Sequence, residues 1–173
     1  YPELPNGNIG IFVGAHAKFS EEETEAIDKF CESNNAVVIC DQISNYRGKY
    51  RFLANFANSQ EKDLGTRRFD LIIYIGYIHG AYINYGGKES WRVNEDGVIR
   101  DPQRNLTYVF EMSEIDFFNH YASDKKNNTI FEHCTNITEN LMKRIPELPF
   151  SNMWIAGETS KKYQIILFYI SVF

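Results

Sequence analysis

The sequence predicts an open α/β fold in which helices cover both faces of a mostly parallel sheet. Three short apolar runs carry this prediction, because a parallel strand that is buried on both faces is apolar along its whole length. Helical patterns separate the runs, so the chain begins in the order βαβαβ, and right-handed crossovers place such strands in one Rossmann-like sheet. The three runs lie at residues 8–14, 36–41 and 69–76.

Length and composition favour a single globular domain and exclude two classes of partner. The chain has 173 residues, of which 43% are hydrophobic and 24% are charged, values that are ordinary for one folded domain. A formal net charge of −5 gives no general attraction to nucleic acid or to a membrane surface, and neither partner is expected. The three cysteines are an odd number without metal-ligand spacing, which argues against a disulfide framework and a zinc site and predicts a reducing, cytoplasmic compartment.

The first helix is predicted from its two ends. Ser20 can cap it, and Glu23, three residues further on, completes a capping box. The pair Asn34-Asn35 indicates the end of the helix. We predict a second helix over residues 50–59, between the second and third apolar runs.

The second half of the chain is less regular. Glu95-Asp96-Gly97 is a turn signal between residues 89–94 and 98–100, and it predicts a short strand or a hairpin. The remaining predicted elements are a strand at 106–111, a helix at 113–122 that Ser113 caps, and a helix at 129–144.

Candidate ligand contacts lie in the loops that follow the second and third strands, because open parallel sheets bind ligands beyond the carboxyl ends of their strands. An alternative is that the polar side chains only cap backbone groups and that the glycines only permit tight turns. No nucleophile–base arrangement and no metal-ligand spacing is found, so no catalytic residue and no metal ligand is predicted. The candidate residues close to a substrate or cofactor are Asp41, Ser44, Asn45, Arg47, Gly76, His79, Gly80 and Tyr82.

A series of short motifs follows the predicted strands in order. They are Gly-Ile-Phe-Val-Gly, Phe-Ser-Glu-Glu-Glu, Val-Val-Ile-Cys-Asp-Gln-Ile-Ser-Asn-Tyr-Arg, Phe-Asp-Leu-Ile-Ile-Tyr-Ile-Gly, and Trp91-Arg92-Val93 with Asp101-Pro102. Together they resemble the central domain of thiamine-diphosphate-dependent enzymes. Within that class the chain is similar to the 2-succinyl-5-enolpyruvyl-6-hydroxy-3-cyclohexene-1-carboxylate synthases of menaquinone biosynthesis, which are transferases.

The resemblance implies an enzyme of three α/β domains. In this family the N-terminal domain carries the glutamate that activates the cofactor, and the C-terminal domain holds the diphosphate. The central domain braces these two partners, so the resemblance implies that this chain alone is inactive and binds no cofactor. The parent enzyme is expected to be a homo-oligomer that uses thiamine diphosphate and magnesium to decarboxylate a 2-oxoacid and to join the product to an acceptor.

One departure from the family leaves alternatives open. The synthases have a Gly-Lys-Arg-like stretch after the third strand, and its cations reach the substrate carboxylates, whereas this chain has Gly80-Ala81-Tyr82. The parent is therefore alternatively a related thiamine-diphosphate enzyme of surface-polysaccharide synthesis. A further alternative is a free-standing nucleotide-binding α/β module.

A second pair of motifs imitates the cofactor site of the same enzymes. They hold magnesium and diphosphate with Gly-Asp-Gly and a later asparagine pair, and this chain has Glu95-Asp96-Gly97 and Asn127-Asn128. The polar flanks of Asp96 are those of a turn rather than of a buried strand, so we interpret the likeness as coincidental.

The resemblance also suggests how the chain is divided. Inserting one base into a permitted codon choice for Lys161–Phe173 restores a family segment with Leu-Pro, Asn-Ser and Leu-His-Phe, which suggests a frameshift. The alternative is a strand of a following domain. The expected divisions are a linker remnant at 1–7, the central domain at 8–145, a linker at 146–162 to a C-terminal domain that the chain lacks, and an apolar tail at 163–173.

Overall fold

A six-stranded parallel sheet organises the chain in the order β3-β2-β1-β4-β5-β6. The structure is a computed structural model, and it describes residues 1–40, 43–53, 69–77, 87–101, 103–144, 146–147 and 149–163. The strands are β1 (Ile9–Val13), β2 (Ala36–Ile39), β3 (Arg51–Phe52), β4 (Leu71–Ile75), β5 (Glu89–Val93) and β6 (Leu106–Phe110). The helices in the described residues are α1 (Glu21–Asn34), α2 (Glu114–Tyr121), α3 (Thr129–Lys143) and α4 (Asn152–Tyr163). The predicted open α/β class is confirmed.

The central strands β1, β2 and β4 are buried on both faces, because side chains that alternate along each of them enter two different cores. The first core lies between the sheet, α1 and α2, and the second lies between the sheet and α3. Members of the first core are Ile9, Ile11, Val13, Ile27, Phe30, Ile73, Trp91, Phe117 and Phe118. Members of the second core are Val37, Ile39, Phe52, Ile72, Tyr74, Ile130, Cys134 and Leu141.

The predicted ends of α1 are confirmed. The Ser20 hydroxyl accepts a hydrogen bond from the backbone N–H of Glu23 at 3.1 Å, and the Glu23 carboxylate accepts one from the Ser20 N–H at 2.6 Å. Asn35 ends the helix in the left-handed region, with φ of 51°. Asparagine tolerates this conformation better than most residues, and for that reason it terminates helices.

Two predicted elements differ from the structure. Residues 51–52 form β3 beside β2, so the predicted helix at 50–59 is wrong at its start, and residues 54–59 lie outside the described part. The Val38 N–H donates to the Tyr50 carbonyl at 2.8 Å, and this tertiary contact draws the chain into the sheet. Of the two alternatives predicted around the turn signal, the short strand is confirmed as β5, whereas the hairpin is wrong, because β5 and β6 are parallel and residues 98–100 form no strand.

The segment predicted to be a linker contains α4. Phe150, Met153, Trp154 and Ile155 lie exposed in or just before this helix. The division into domains stays a prediction. Within the described residues, no helix combines the length and the apolar character that crossing a membrane requires.

Candidate functional site

The topological switch point lies between β1 and β4, where the chain changes its direction of travel across the sheet. Open α/β sheets bind ligands in the crevice beyond the carboxyl ends of such strands. In this chain the two strand ends are joined by backbone. The N–H of Gly14 donates to the Ile75 carbonyl at 3.0 Å, and Ala15 and Tyr77 exchange two hydrogen bonds of 2.8 and 2.9 Å. These groups therefore satisfy each other at the switch point.

Gly76 permits this closure. Its φ is +69°, and a Cβ atom added there would lie 2.9 Å from the Ala15 carbonyl oxygen. A side chain would therefore combine an unfavourable backbone conformation with a steric clash against main chain. Of the predicted site residues that the structure describes, Gly76 lies at the centre of the switch point.

The loop after β2 is tied to the end of β1. The His16 N–H donates to the Ile43 carbonyl at 3.2 Å, and the Asn45 amide donates to the His16 carbonyl at 2.6 Å. Asn45 is itself left-handed, with φ of 56°. Ser44 is buried, whereas Arg47 is exposed. At the end of β1, the loop is thus held by backbone groups and by the side-chain amide of Asn45.

The same loop is anchored to α1. The Tyr46 hydroxyl donates a hydrogen bond to one oxygen of Asp28, and the Lys49 N–H donates to the other at 3.1 Å. Burial raises the pKa of Tyr46 far above its ordinary range, so Tyr46 remains a neutral donor. This contact is structural.

The His16 side chain is enclosed at the same place. Its ring stacks on Phe19 with centroids 3.9 Å apart, and its Nδ1 lies 2.8 Å from the Ala17 carbonyl oxygen. Its Nε2 lies 3.4 Å from Oε1 of Glu114, the first residue of α2. Burial alone would lower the pKa of His16, but the hydrogen bond to Glu114 and the charges of Glu114 and Glu23 raise it above its ordinary value.

A second polar arrangement closes the end of β5. Arg92 is buried, and its two terminal nitrogens bind the Asp96 carboxylate at 2.6 and 3.0 Å. Asp96 also accepts the Val98 N–H at 2.9 Å, and these bonds hold the pKa of Asp96 below its ordinary value. The guanidinium of Arg100 lies 4.5 Å from the Tyr77 ring centroid. The segment that follows β5 is therefore in contact with Tyr77 at the switch point.

The motif that imitates a magnesium–diphosphate site does not fit that group. Both oxygens of Asp96 face the guanidinium of Arg92. Asn128 accepts from the Tyr50 hydroxyl at 3.0 Å, and the Asn127 side chain accepts from Thr129 at the start of α3. In the described part of the chain, no three His, Cys, Asp or Glu side chains are grouped so that they could hold a metal ion.

The structure therefore brings Ser44, Asn45 and Gly76 to the edge beyond β1, β2 and β4, and leaves Arg47 exposed. The candidate residues outside the described part are Asp41, His79, Gly80 and Tyr82. The sequence interpretation did not include His16 and Glu114. Proximity to the end of the first strand is a usable signal for His16, whereas no local pattern points to Glu114.

The strand order and the parallel pairing of the strands define an open, all-parallel Rossmann-like α/β domain. No protein-family model matches the chain, and no curated protein matches it at a significant level.

Proposed function

We propose that this chain is the structural, catalytically silent central domain of a thiamine-diphosphate-dependent enzyme similar to the 2-succinyl-5-enolpyruvyl-6-hydroxy-3-cyclohexene-1-carboxylate synthases. The N- and C-terminal domains of that enzyme bind thiamine diphosphate and magnesium, and the cofactor supplies the chemistry of decarboxylation and carboligation. The central domain positions its two neighbours. The parent enzyme is a cytoplasmic homo-oligomer.

The observation that carries this proposal is the closed switch point. A cofactor at this position of an open sheet is held by free backbone N–H groups at the first turn. The N–H groups of Gly14, Ala15 and Tyr77 each donate to a carbonyl of the chain itself. This edge is accordingly suited to bracing neighbouring domains rather than to holding a dinucleotide.

The N-terminus of α1 supports the same interpretation. Helix N-termini attract phosphate groups through their free N–H groups and their positive dipole end. Glu21, Glu22 and Glu23 stand in the first turn of α1, and the Ser20 side chain caps it. Three carboxylates next to one another repel an anion, so this helix offers no phosphate site.

The positions of the motifs are a further support. The motifs that resemble the central domain fall on β1, on the start of α1, on β2, on β4 and on β5. These elements belong to one sheet and to the helix that packs on it. The resemblance therefore follows the architecture of one domain instead of being scattered over unrelated segments.

Sequencing the DNA on both sides of this reading frame tests the proposal. We expect an upstream frame for a domain with the cofactor-activating glutamate and a downstream frame for a diphosphate-binding domain. Unrelated genes on both sides would overturn the proposal. If the flanking domains are found, turnover of isochorismate and 2-oxoglutarate by the complete enzyme would separate a menaquinone synthase from a relative in polysaccharide synthesis.

Thermal unfolding with added ligands tests the silent role of the chain itself. We expect no saturable rise of the melting temperature with NAD, ADP, FAD or thiamine diphosphate plus magnesium, because a ligand stabilises only the protein that binds it. A saturable rise with an adenine nucleotide would favour the free-standing nucleotide-binding module. Measurable decarboxylation by this chain with thiamine diphosphate and magnesium would also contradict the proposal.

A further inference from the structure

The two ring nitrogens of His16 both face oxygen acceptors. A backbone carbonyl can only accept a hydrogen bond, so the Nδ1 that lies 2.8 Å from the Ala17 oxygen carries a proton. Nε2 lies 3.4 Å from a carboxylate oxygen of Glu114. A neutral imidazole protonated on Nδ1 would point a lone pair at that carboxylate. The arrangement therefore fits a His16–Glu114 pair that holds one additional proton, beyond the proton that a neutral imidazole beside an ionised carboxylate would hold.

The surroundings of the pair favour that proton. Glu114 on α2 and Glu23 on α1 are the charged groups that act on His16, and both are acidic. The loop after β2 contributes the Ile43 carbonyl and the Asn45 amide, neither of which titrates. The second oxygen of Glu114 is buried and has no hydrogen-bond partner. Among the described residues, the cation that faces this carboxylate is His16.

The pair connects elements that are distant in sequence. His16 lies two residues beyond Gly14, at the end of β1, and its backbone holds the loop after β2. Glu114 begins α2, which packs on α1 in the first core. The side chains of His16 and Glu114 are only 16% and 14% exposed, so water compensates an unpaired charge there poorly.

We propose that His16 and Glu114 form a proton-dependent clasp that fastens the carboxyl end of β1 to the N-terminus of α2. Loss of the additional proton leaves the Glu114 carboxylate enclosed without a cation. The clasp then opens, and residues 14–17 and 43–46 loosen together. This inference concerns the chain itself and does not depend on the proposed function.

The direction of the pH dependence follows from the raised pKa of His16. A group whose pKa is higher in the folded state stabilises that state fully at pH values below its unfolded pKa. The stabilisation is lost as the pH rises through the folded-state pKa. The clasp is therefore closed in mildly acidic solution and opens towards alkaline pH.

NMR on the wild-type protein tests the clasp directly. With ¹⁵N-labelled histidine, we expect both ring nitrogens of His16 to be protonated in mildly acidic solution, with a titration midpoint above the ordinary value of 6.5. Amide hydrogen exchange at 14–17 and at the start of α2, corrected for its intrinsic pH dependence, should accelerate over the same pH range. A midpoint at or below that ordinary value would overturn the proposal.

Two matched variants separate the clasp from a general effect of charge. Glu114→Gln keeps the shape but removes the charge, and should lower the His16 midpoint and abolish the pH-dependent exchange. Glu21→Gln is the control, because Glu21 occupies the same first position of α1 with an exposed side chain, and it should leave the midpoint unchanged. Equal shifts in both variants would contradict the clasp. If Glu114→Gln does not fold, the wild-type ring-nitrogen signals still decide.

Discussion

Polar contacts hold the sheet together at both ends of its strands, but with different chemistry. We call the side where the parallel strands begin the amino edge and the side where they end the carboxyl edge. At the amino edge, Asp70 accepts the Asn8 N–H at 2.9 Å and the Lys88 ammonium at 2.6 Å. The Asn35 side chain donates to Asn8 at 2.8 Å and accepts the Ile130 N–H at 2.9 Å. The hydrogen bonds from Lys88 and from the Asn8 N–H lower the pKa of Asp70, so this carboxylate stays ionised near neutral pH, and the Asn35 amide does not titrate.

The carboxyl edge is fastened by a backbone bridge and by a titrating pair. Ala15 and Tyr77 exchange two backbone hydrogen bonds, and His16 faces Glu114. Histidine is the side chain that ordinarily changes its charge near neutral pH. If the proposed clasp operates, the contacts at the amino edge do not respond to pH near neutrality, whereas those at the carboxyl edge do.

The largest expected effect is at the amino edge, in Asn35→Ala. The substitution removes three side-chain hydrogen bonds, to the Gly7 carbonyl, to Asn8 and from the buried Ile130 N–H, and puts alanine in a left-handed conformation. We expect a loss of about 3 kcal/mol in the free energy of unfolding, measured by urea denaturation.

Asn35→Gly is the matched control for this position. Glycine adopts the left-handed conformation without strain but forms none of these three hydrogen bonds, so its loss should be smaller than that of Asn35→Ala. Equal losses would show that the backbone conformation of Asn35 contributes nothing.

At the carboxyl edge, Gly76→Ala tests the closed switch point. The new Cβ would meet the Ala15 carbonyl at 2.9 Å, and we expect a loss of about 2 kcal/mol in thermal or urea unfolding. In Gly97→Ala, where φ is +59°, the Cβ meets the flexible Glu111 side chain. That control should lose about 1 kcal/mol. A larger loss for Gly97→Ala would contradict the closure argument.

Asp70→Asn examines the ionic part of the amino edge. The hydrogen bonds from Lys88 and from the Asn8 N–H lower the pKa of Asp70, so its stabilisation is present above its ordinary pKa and is lost as the pH falls through the lowered value. We expect a loss of about 1 kcal/mol at neutral pH, because Lys88 is exposed. Asp124→Asn, at an exposed position, should have no effect in the same urea titration.

The smallest effect is the pH response of the carboxyl edge. Because the pKa of His16 is raised, the free energy of unfolding should decline between about pH 6 and about pH 9. Glu114→Gln should flatten this decline. Urea denaturation of both proteins at the two pH values measures the difference, and an unchanged slope in the variant would assign the pH response to other groups.

Local signals predicted the fold well wherever local chemistry decides it. The capping pairs at Ser20 and Ser113 are present as the sequence indicates, and the apolar runs became β1, β2 and β4. The wrong predictions, the start of the helix at 50–59 and the hairpin after β5, concern segments whose structure is decided by pairing with other strands. Arg51 and Phe52 join the sheet by pairing with β2, and β5 and β6 align in parallel although a turn signal follows β5.

The contacts at the carboxyl edge were foreseen only in part, for a physical reason. The topological rule points to Gly76 and Asn45, which lie at that edge, because strand ends can be located from the sequence; their contact with a ligand stays a prediction. The His16–Glu114 contact joins residues 98 positions apart in the printed sequence. Only packing of α2 against α1 brings them together, and no spacing rule encodes that contact.

The buried cysteines determine how the protein can be labelled. Cys31, Cys40 and Cys134 all lie in the described part of the chain, where they are buried and form no disulfide; burial raises the pKa of Cys31 well above its ordinary value and that of Cys134 to about 12. Maleimide reagents attack accessible thiolates, so the native thiols should react slowly while the fold is intact. A single cysteine introduced at the surface could then carry a fluorophore to report on loop motion, with the natural sequence otherwise unchanged.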